Sequence, residues 1–389
     1  MSNKHKSIRK EEGFVVYTAL KVRLIPTQTQ EVALRQHAGT HRYAYNFAKS
    51  FSERYYEEHG ESASANDISK AFRETYASIP WIADICKDVN HEAIRDYGRA
   101  RSNSFRKYKN GYRTNYKSRK DIIQGFAVDA RKLKFKGKVY LPKIGWISVN
   151  QTPKKRLYKN PRVIFDGQHW YLALGMEIET EPVELTDKVL GLDVGLKTLV
   201  TVSDGTTFEN INTTAIVKKL ERKKKQVQRQ MARRYVKGSK TQSKNYYKSR
   251  KEHLRICRKL TNIRENHLHQ ISSALVKTKP KAIVMEDLKI QNLLNNRRLS
   301  KAIQDAAWYK LRTYLTYKSK RQGTEIVLAP TTFPSSQTCS NCHQRFDTSA
   351  QNRTWGLDIR VWTCSYCNAE HDRDKNAALN LKWYYNHQV

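Results

Sequence analysis

Three acids stand where a metal-dependent hydrolysis could be run. Asp193 follows the apolar run Val189-Leu190-Gly191-Leu192, and Glu286 follows Ala282-Ile283-Val284-Met285. A third acid, Asp372 or Asp374, opens a closing helix within His371-Asp372-Arg373-Asp374-Lys375-Asn376. The two runs read as buried strands that end by projecting a carboxylate. Neighbouring parallel strands put their ends at one sheet edge, so Asp193 and Glu286 can converge although 93 positions apart (286 − 193). Phosphodiester hydrolysis uses such convergence, with two Mg²⁺ about 3.5–4 Å apart. Magnesium takes carboxylates and water as ligands, and clustered carboxylates without a cation repel one another. Glu286 is preferred to Asp287 because consecutive strand residues point to opposite faces. Between Asp372 and Asp374 the residues leave the choice open.

A second constellation is thiol. Of six cysteines, four form the knuckles Cys339-Ser340-Asn341-Cys342 and Cys364-Ser365-Tyr366-Cys367, with 21 residues between them. Two such pairs close a tetrahedral Cys₄ site for structural Zn²⁺ and leave no open position. The absence of an export signal argues against disulfides and for a reducing compartment. His343 reads as a surface residue. The knuckles lie between the last strand and the helix of the third acid, so metal-driven folding there would help to place that acid.

Lys and Arg number 73 against 36 Asp and Glu, a net charge of +37. Such an excess costs the folded state through self-repulsion and calls for a polyanionic partner. No apolar run approaches the roughly 18 residues of a spanning helix, so nucleic acid is expected and membrane is not. The charge is concentrated between Lys218 and Arg264, where 19 Lys and Arg face only Glu221 and Glu252. A helical hairpin broken near Gly238 is expected there, with Arg222, Lys225, Arg229 and Arg233 as contacts to a nucleic-acid backbone.

The remaining elements must position these groups. Residues 1–13 read as a disordered basic arm. A strand from Val16 to Leu24 is stopped by Pro26, and Thr27 with Gln30 forms a capping box. The helical region it opens runs to about Lys109, with interruptions expected at Gly39 and Gly60. Arg42, Tyr45 and Lys49 share one face of its first helix and are candidate nucleic-acid contacts. From Gly125 to Ile178 the period is two, over Phe126–Val128, Leu133–Phe135, Val139–Leu141, Ile147–Val149, Val163–Phe165 and Trp170–Leu174. Asp166-Gly167 supplies a hairpin turn, and the strand before Pro26 would complete a small β-barrel with the helices inserted into it. Asp193 beside the hairpin centred on Asp204-Gly205 is how a ribonuclease H-type fold begins its metal site. Glu in the middle of the acid order separates the chain from DDE transposases, which place Glu last.

With these residues in view, the chain resembles the transposon-encoded TnpB proteins, relatives of type V CRISPR effectors. The matching elements are Gly191-Leu192-Asp193-Val194-Gly195, Met285-Glu286-Asp287-Leu288, Pro334-Ser335-Ser336-Gln337-Thr338-Cys339, the double C-x-x-C and Asp372-Arg373-Asp374-Lys375-Asn376-Ala377-Ala378. Lys21-Val22-Arg23-Leu24-Ile25-Pro26-Thr27 and His41-Arg42-Tyr43-Ala44-Tyr45-Asn46 resemble that family's N-terminus, so coverage is nearly the whole chain.

The resemblance implies an α+β multidomain protein. A wedge β-barrel (14–40 and 122–185) with a helical recognition insert (41–121) would precede a RuvC nuclease (186–330 and 372–389) holding a zinc ribbon (331–371). It selects Asp374 and implies Asp193, Glu286 and Asp374 as catalytic ligands of Mg²⁺, for which Mn²⁺ can substitute. The implied activity is cleavage of double-stranded DNA beside a short flanking motif, guided by a non-coding RNA. A monomeric, cytoplasmic, nucleoid-associated prokaryotic protein is the corresponding expectation. The same ancestry includes nuclease-inactive RNA-guided repressors and miniature CRISPR effectors. A repressor should lack at least one of the acids. The family's usual Gly after each C-x-x-C is replaced here by His343 and Asn368, both residue types that tolerate positive φ.

Overall fold

The computed structural model describes residues 14–76, 79–107, 114–154, 158–181, 183–239, 241–345 and 359–387. The expected basic arm lies outside them. The chain divides into two compact units, one of residues 17–178 and one built mainly from residues 179–389.

The first unit joins β1 (Phe14–Ile25), α1 (Gln28–His59), α2 (Ala65–Tyr76) and α3 (Lys87–Lys107) to six short strands. These are β2 (Gln124–Ala127), β3 (Lys134–Phe135), β4 (Lys138–Leu141), β5 (Gly145–Val149), β6 (Lys159–Phe165) and β7 (Trp170–Thr180). The period-two segments thus form strands, in the sheet order β2-β6-β7-β1-β5-β4-β3. The order ends in two edges, so among the described residues the expected barrel is an open half-barrel. β3 spans only Lys134–Phe135, too short to close the sheet. Leu24, Val139, Leu141, Ile147, Val163, Leu172 and Leu174 fill its core.

Thr27 caps α1 with both halves of the capping box formed. Gly60 ends it in the left-handed region at φ 71°, as a glycine at that position can. The interruption expected at Gly39 does not occur: α1 runs through it. Ala38, Thr40 and His41 are buried on either side, and their packing outweighs the roughly 1 kcal/mol that a helical glycine costs relative to alanine. The boundary expected between residues 40 and 41 therefore falls inside one helix. The packing changes there all the same. Leu34 and Ala38 join the sheet core, whereas Ala44, Tyr45 and Ala48 pack with α2 and α3.

The second unit begins with β8 (Thr186–Val194), β9 (Thr198–Val202), β10 (Thr207–Glu209), α4 (Ala215–Arg234) and α5 (Lys244–Lys277). It continues with β11 (Pro280–Glu286), α6 (Ile290–Leu293), α7 (Ser300–Ala306), α8 (Trp308–Lys320) and β12 (Glu325–Ala329). It closes with β13 (Val361–Thr363), β14 (Glu370–Asp372) and α9 (Arg373–Asn386). The sheet order is β10-β9-β8-β11-β12. β8, β11 and β12 are parallel, and β9 and β10 continue antiparallel from β8.

Alternation sorts the side chains of the parallel strands between the two faces. Leu190, Leu192, Ile283 and Met285 pack with Leu268, Ile271 and Leu275 of α5 and Leu311 and Leu315 of α8. Val189, Ala282 and Val284 pack on the other face with Leu381 of α9. Asp193 and Glu286 are in phase with this second set. Gly191 is what lets α9 lie against β8, since a Cβ there would sit 2.0 Å from the Ala378 carbonyl oxygen.

Candidate active site and cysteine cluster

Met285 lies opposite Leu192 in the parallel register of β11 and β8, so the next residues, Glu286 and Asp193, leave the sheet side by side. α9 crosses that face with Asp374 in its first turn. The three carboxylates line one cavity of about 510 Å³ together with Arg360 and Arg373. Leu196, Leu288, Ile303 and Trp308 form its apolar side. Burial, reinforced by the charges of Glu286 and then Asp374, pushes the Asp193 carboxyl up to about 8. Proximity of the three acids is therefore electrostatically costly without a cation.

The neighbouring acids are otherwise engaged. Asp287 is half-exposed and pairs with Arg312 at 2.6 Å. Asp372 caps α9 by accepting from the Lys375 amide at 2.9 Å. Of the two acids that the sequence left open, Asp374 lines the cavity. Its Oδ1 lies 3.1 Å from Arg360 Nη1. Glu286 Oε1 accepts a hydrogen bond from Ser335 Oγ. Sequence reasoning missed Ser336, Arg360 and Arg373 as cavity groups, and Ser335 as the partner of Glu286. Pro334-Ser335-Ser336 was visible as a motif, but nothing local links Ser335 to an acid 49 positions away (335 − 286).

The sulfurs of Cys339, Cys342, Cys364 and Cys367 lie within 4.8 Å of one another. The Cys339–Cys367 and Cys342–Cys364 separations are 3.6 Å, close to the roughly 3.8 Å edge of a tetrahedron with Zn–S bonds of about 2.3 Å. The donor set fits structural zinc. His343 and Asn368 adopt φ 59° and 56°, and their amides donate to the carbonyls of Cys339 and Cys364 at 2.9 Å. Each knuckle thus turns without the glycine usual there. The His343 ring stacks on Trp383 of α9, with centroids 4.6 Å apart. An unanticipated neighbour is buried His371, whose Nε2 lies 3.0 Å from Cys339 Sγ.

The basic hairpin forms as α4 and α5, joined by Val217, Val227, Ile256 and Leu260. Glu221 is consumed internally, pairing with Arg264 at 3.0 Å. Arg222, Lys225, Arg229 and Arg233 are exposed along α4. The three candidates on α1 are placed differently. Tyr45 is buried against Tyr97 with Lys117 Nζ over its ring, and Lys49 is buried in an ion pair with Glu53. Half-buried Arg42 donates to Gln124 at 3.0 Å. That face of α1 packs inside its unit. Arg42 and Tyr45 find partners on α3 and in residues 114–127, and Lys49 pairs with Glu53 within α1.

Family models match three stretches of the chain. Residues 16–61 match a "Helix-turn-helix domain", residues 173–297 a "Probable transposase" and residues 308–381 a "Cas12f1-like, TNB domain". The first stretch is here β1 followed by the single helix α1. An Escherichia coli (strain K12) protein named "Putative RNA-guided DNA endonuclease InsQ" is 29% identical over 93% of this chain and 91% of its own length. A Streptomyces pristinaespiralis protein named "Putative RNA-guided DNA endonuclease" is 29% identical over 94% of this chain and 89% of its own. The fold is similar to that in "Cryo-EM structure of the Cas12f1-sgRNA-target DNA complex", with a TM-score of 0.53, 13% identity and coverage of 95% and 99% of the two chains. The molecule thus has an α+β fold similar to that of the Cas12f1 chain in that complex. Its sequence is similar along nearly its whole length to proteins named putative RNA-guided DNA endonucleases.

Proposed function

We propose that this chain is an RNA-guided DNA endonuclease that hydrolyses phosphodiester bonds in the cavity of Asp193, Glu286 and Asp374. The observation that carries the reading is the gathering of three carboxylates from distant segments beside two arginines. The strand order β10-β9-β8-β11-β12, parallel from β8 to β12, matches a ribonuclease H-like core and supports a RuvC assignment for residues 186–330 and 372–389. The cysteine-bearing insert would be the ribbon of residues 331–371. The all-carboxylate donor set suits Mg²⁺, and Mn²⁺ as a substitute. Divalent ions held there would activate the attacking water and stabilise the leaving oxygen.

The chain's own groups do the rest. Asp193, Glu286 and Asp374 would hold the cation through their carboxylate oxygens. Arg360 and Arg373 place positive charge where the phosphate oxygens would lie. The exposed cations of α4 would hold a nucleic-acid backbone, and the net charge of +37 suits a guide RNA and its DNA target together. In this reading the wedge (14–40 and 122–185) and recognition insert (41–121) contact the flanking motif, while the guide reads sequence by pairing.

The test is cleavage of a randomised-flank DNA library by protein purified with its co-expressed RNA, in Mg²⁺ or EDTA, beside Asp193→Ala. Cuts that need both RNA and metal and vanish in the variant are expected. Guide-dependent binding without cutting would overturn the nuclease reading.

A further inference from the structure

Two polar tethers hold the outer carboxylates of the cavity, and both come from chain flanking the cysteine knuckles. Ser335 stands four residues before Cys339, is 2% exposed and donates through Oγ to Glu286 Oε1. Arg360 stands four residues before Cys364 and reaches Asp374. The Ser335 segment is itself clamped to α9. Asn380 Nδ2 donates to the carbonyl oxygens of Ser335 at 2.8 Å and Thr338 at 2.6 Å. Asn376 Nδ2 donates to the Thr338 carbonyl at 2.7 Å, and its Oδ1 accepts from the Ser340 amide, inside the first knuckle, at 2.8 Å. Ser335, Thr338, Asn376 and Asn380 are all buried. One helix therefore carries Asp374 and grips the loop that grips Glu286.

This arrangement answers a physical problem. Asp193 and Glu286 leave adjacent strands side by side, and once both are ionised, as cation binding requires, their charges repel. A glutamate side chain has several staggered rotamers by which to swing away. A hydrogen bond to a carboxylate is roughly twice as strong as one between neutral groups, and a buried donor with one acceptor selects one rotamer. Engaging Oε1 leaves Oε2 for the cavity. Asn380→Leu would leave the buried Ser335 carbonyl without its side-chain donor and Thr338 with only that of Asn376, so the clamp depends on the amide.

We propose that Ser335 is a positioning residue that presets the Glu286 carboxylate for divalent-cation binding, and that Asn376 and Asn380 couple it to the folded state of the cysteine cluster. The inference rests on the reading of the three acids as a cation site.

The experiment is Mn²⁺ binding to the full-length chain purified with zinc present, followed by electron paramagnetic resonance, with zinc content and Tm measured on each sample. Ser335→Ala should weaken Mn²⁺ binding about 10–100-fold, as loss of a partner outside the ligand set does, with zinc content unchanged. Ser335→Thr, which keeps the hydroxyl, should restore most of the affinity. Cys364→Ser should weaken Mn²⁺ binding in the parent but add little in the Ser335→Ala background, because both act through the same loop. An affinity in Ser335→Ala within about two-fold of the parent, or strictly additive losses in the double variant, would overturn the proposal. Asp193→Ala separates the two readings. If that variant binds Mn²⁺ as the parent does, the cation site itself is wrong.

Discussion

Asp193→Asn should stabilise the metal-free protein while abolishing cleavage, and the size of the gain should depend on pH. In the fold the Asp193 carboxyl is pushed up to about 8 by burial and by Glu286 and Asp374, against an ordinary value of 3.8. At pH 4 and below, the folded side chain is neutral and the unfolded one is becoming so, and little is lost. As pH rises from 4 to 8 the unfolded carboxyl ionises freely while the folded one keeps its proton, so stability falls throughout that window. The full difference, 8 − 3.8, sets an upper bound of roughly 5–6 kcal/mol at about 1.36 kcal/mol per pH unit. Relaxation of the fold and water penetration around a charge bring the expected gain down to about 2 kcal/mol. Asparagine has nearly the same shape and does not titrate, so the variant escapes the penalty. For a unit of this size the gain corresponds to a Tm rise of roughly 4–8 °C at pH 8, shrinking towards zero at pH 4. Differential scanning calorimetry in EDTA at pH 4, 6 and 8 measures it. Mg²⁺ should then raise the Tm of the parent and leave the variant unmoved. A Tm difference that is flat with pH, or an Asn variant less stable at pH 8, would refute the electrostatic account of the cavity.

Cys364→Ser should lower zinc content measured by atomic absorption and lose cleavage together with it, since a buried ligand is removed from a closed four-thiol set. Gly191→Ala should cost about 3 kcal/mol or more and reduce cleavage, because the new Cβ would meet the Ala378 carbonyl and push α9 off β8; urea unfolding and cleavage rates measure both. Replacing Arg222, Lys225, Arg229 and Arg233 together by alanine should weaken RNA binding at physiological salt. In filter binding against salt, the slope of log K on log[salt] should fall by up to about 3, at roughly 0.7 per phosphate contact for single strands. An unchanged slope would remove α4 from the interface.

Much of the site was legible because its signals are local. Four cysteines in two equal spacings need only short turns to meet, and His343 and Asn368 adopt the positive φ that such turns require. Val189–Leu192 and Ala282–Met285 announce buried strands whatever surrounds them. Thr27 and Gln30 close a cap within a single turn. Tertiary structure decided where the question was which distant group lies opposite. Asp372 and Asp374 are alike in sequence, and only the docking of α9 on β8 makes one a cap and the other a cavity wall. Tyr45 and Lys49 have the composition of a nucleic-acid contact, yet partners from distant segments bury them. Gly39 is a helix breaker by propensity, overruled by packing on both sides. Ser335 reaches Glu286 only because Asn376 and Asn380 fold its loop onto α9. Backbone propensity and turn geometry act over a few residues and can be read from the chain. The identity of a long-range neighbour is set by packing and electrostatics that exist only once the chain has folded.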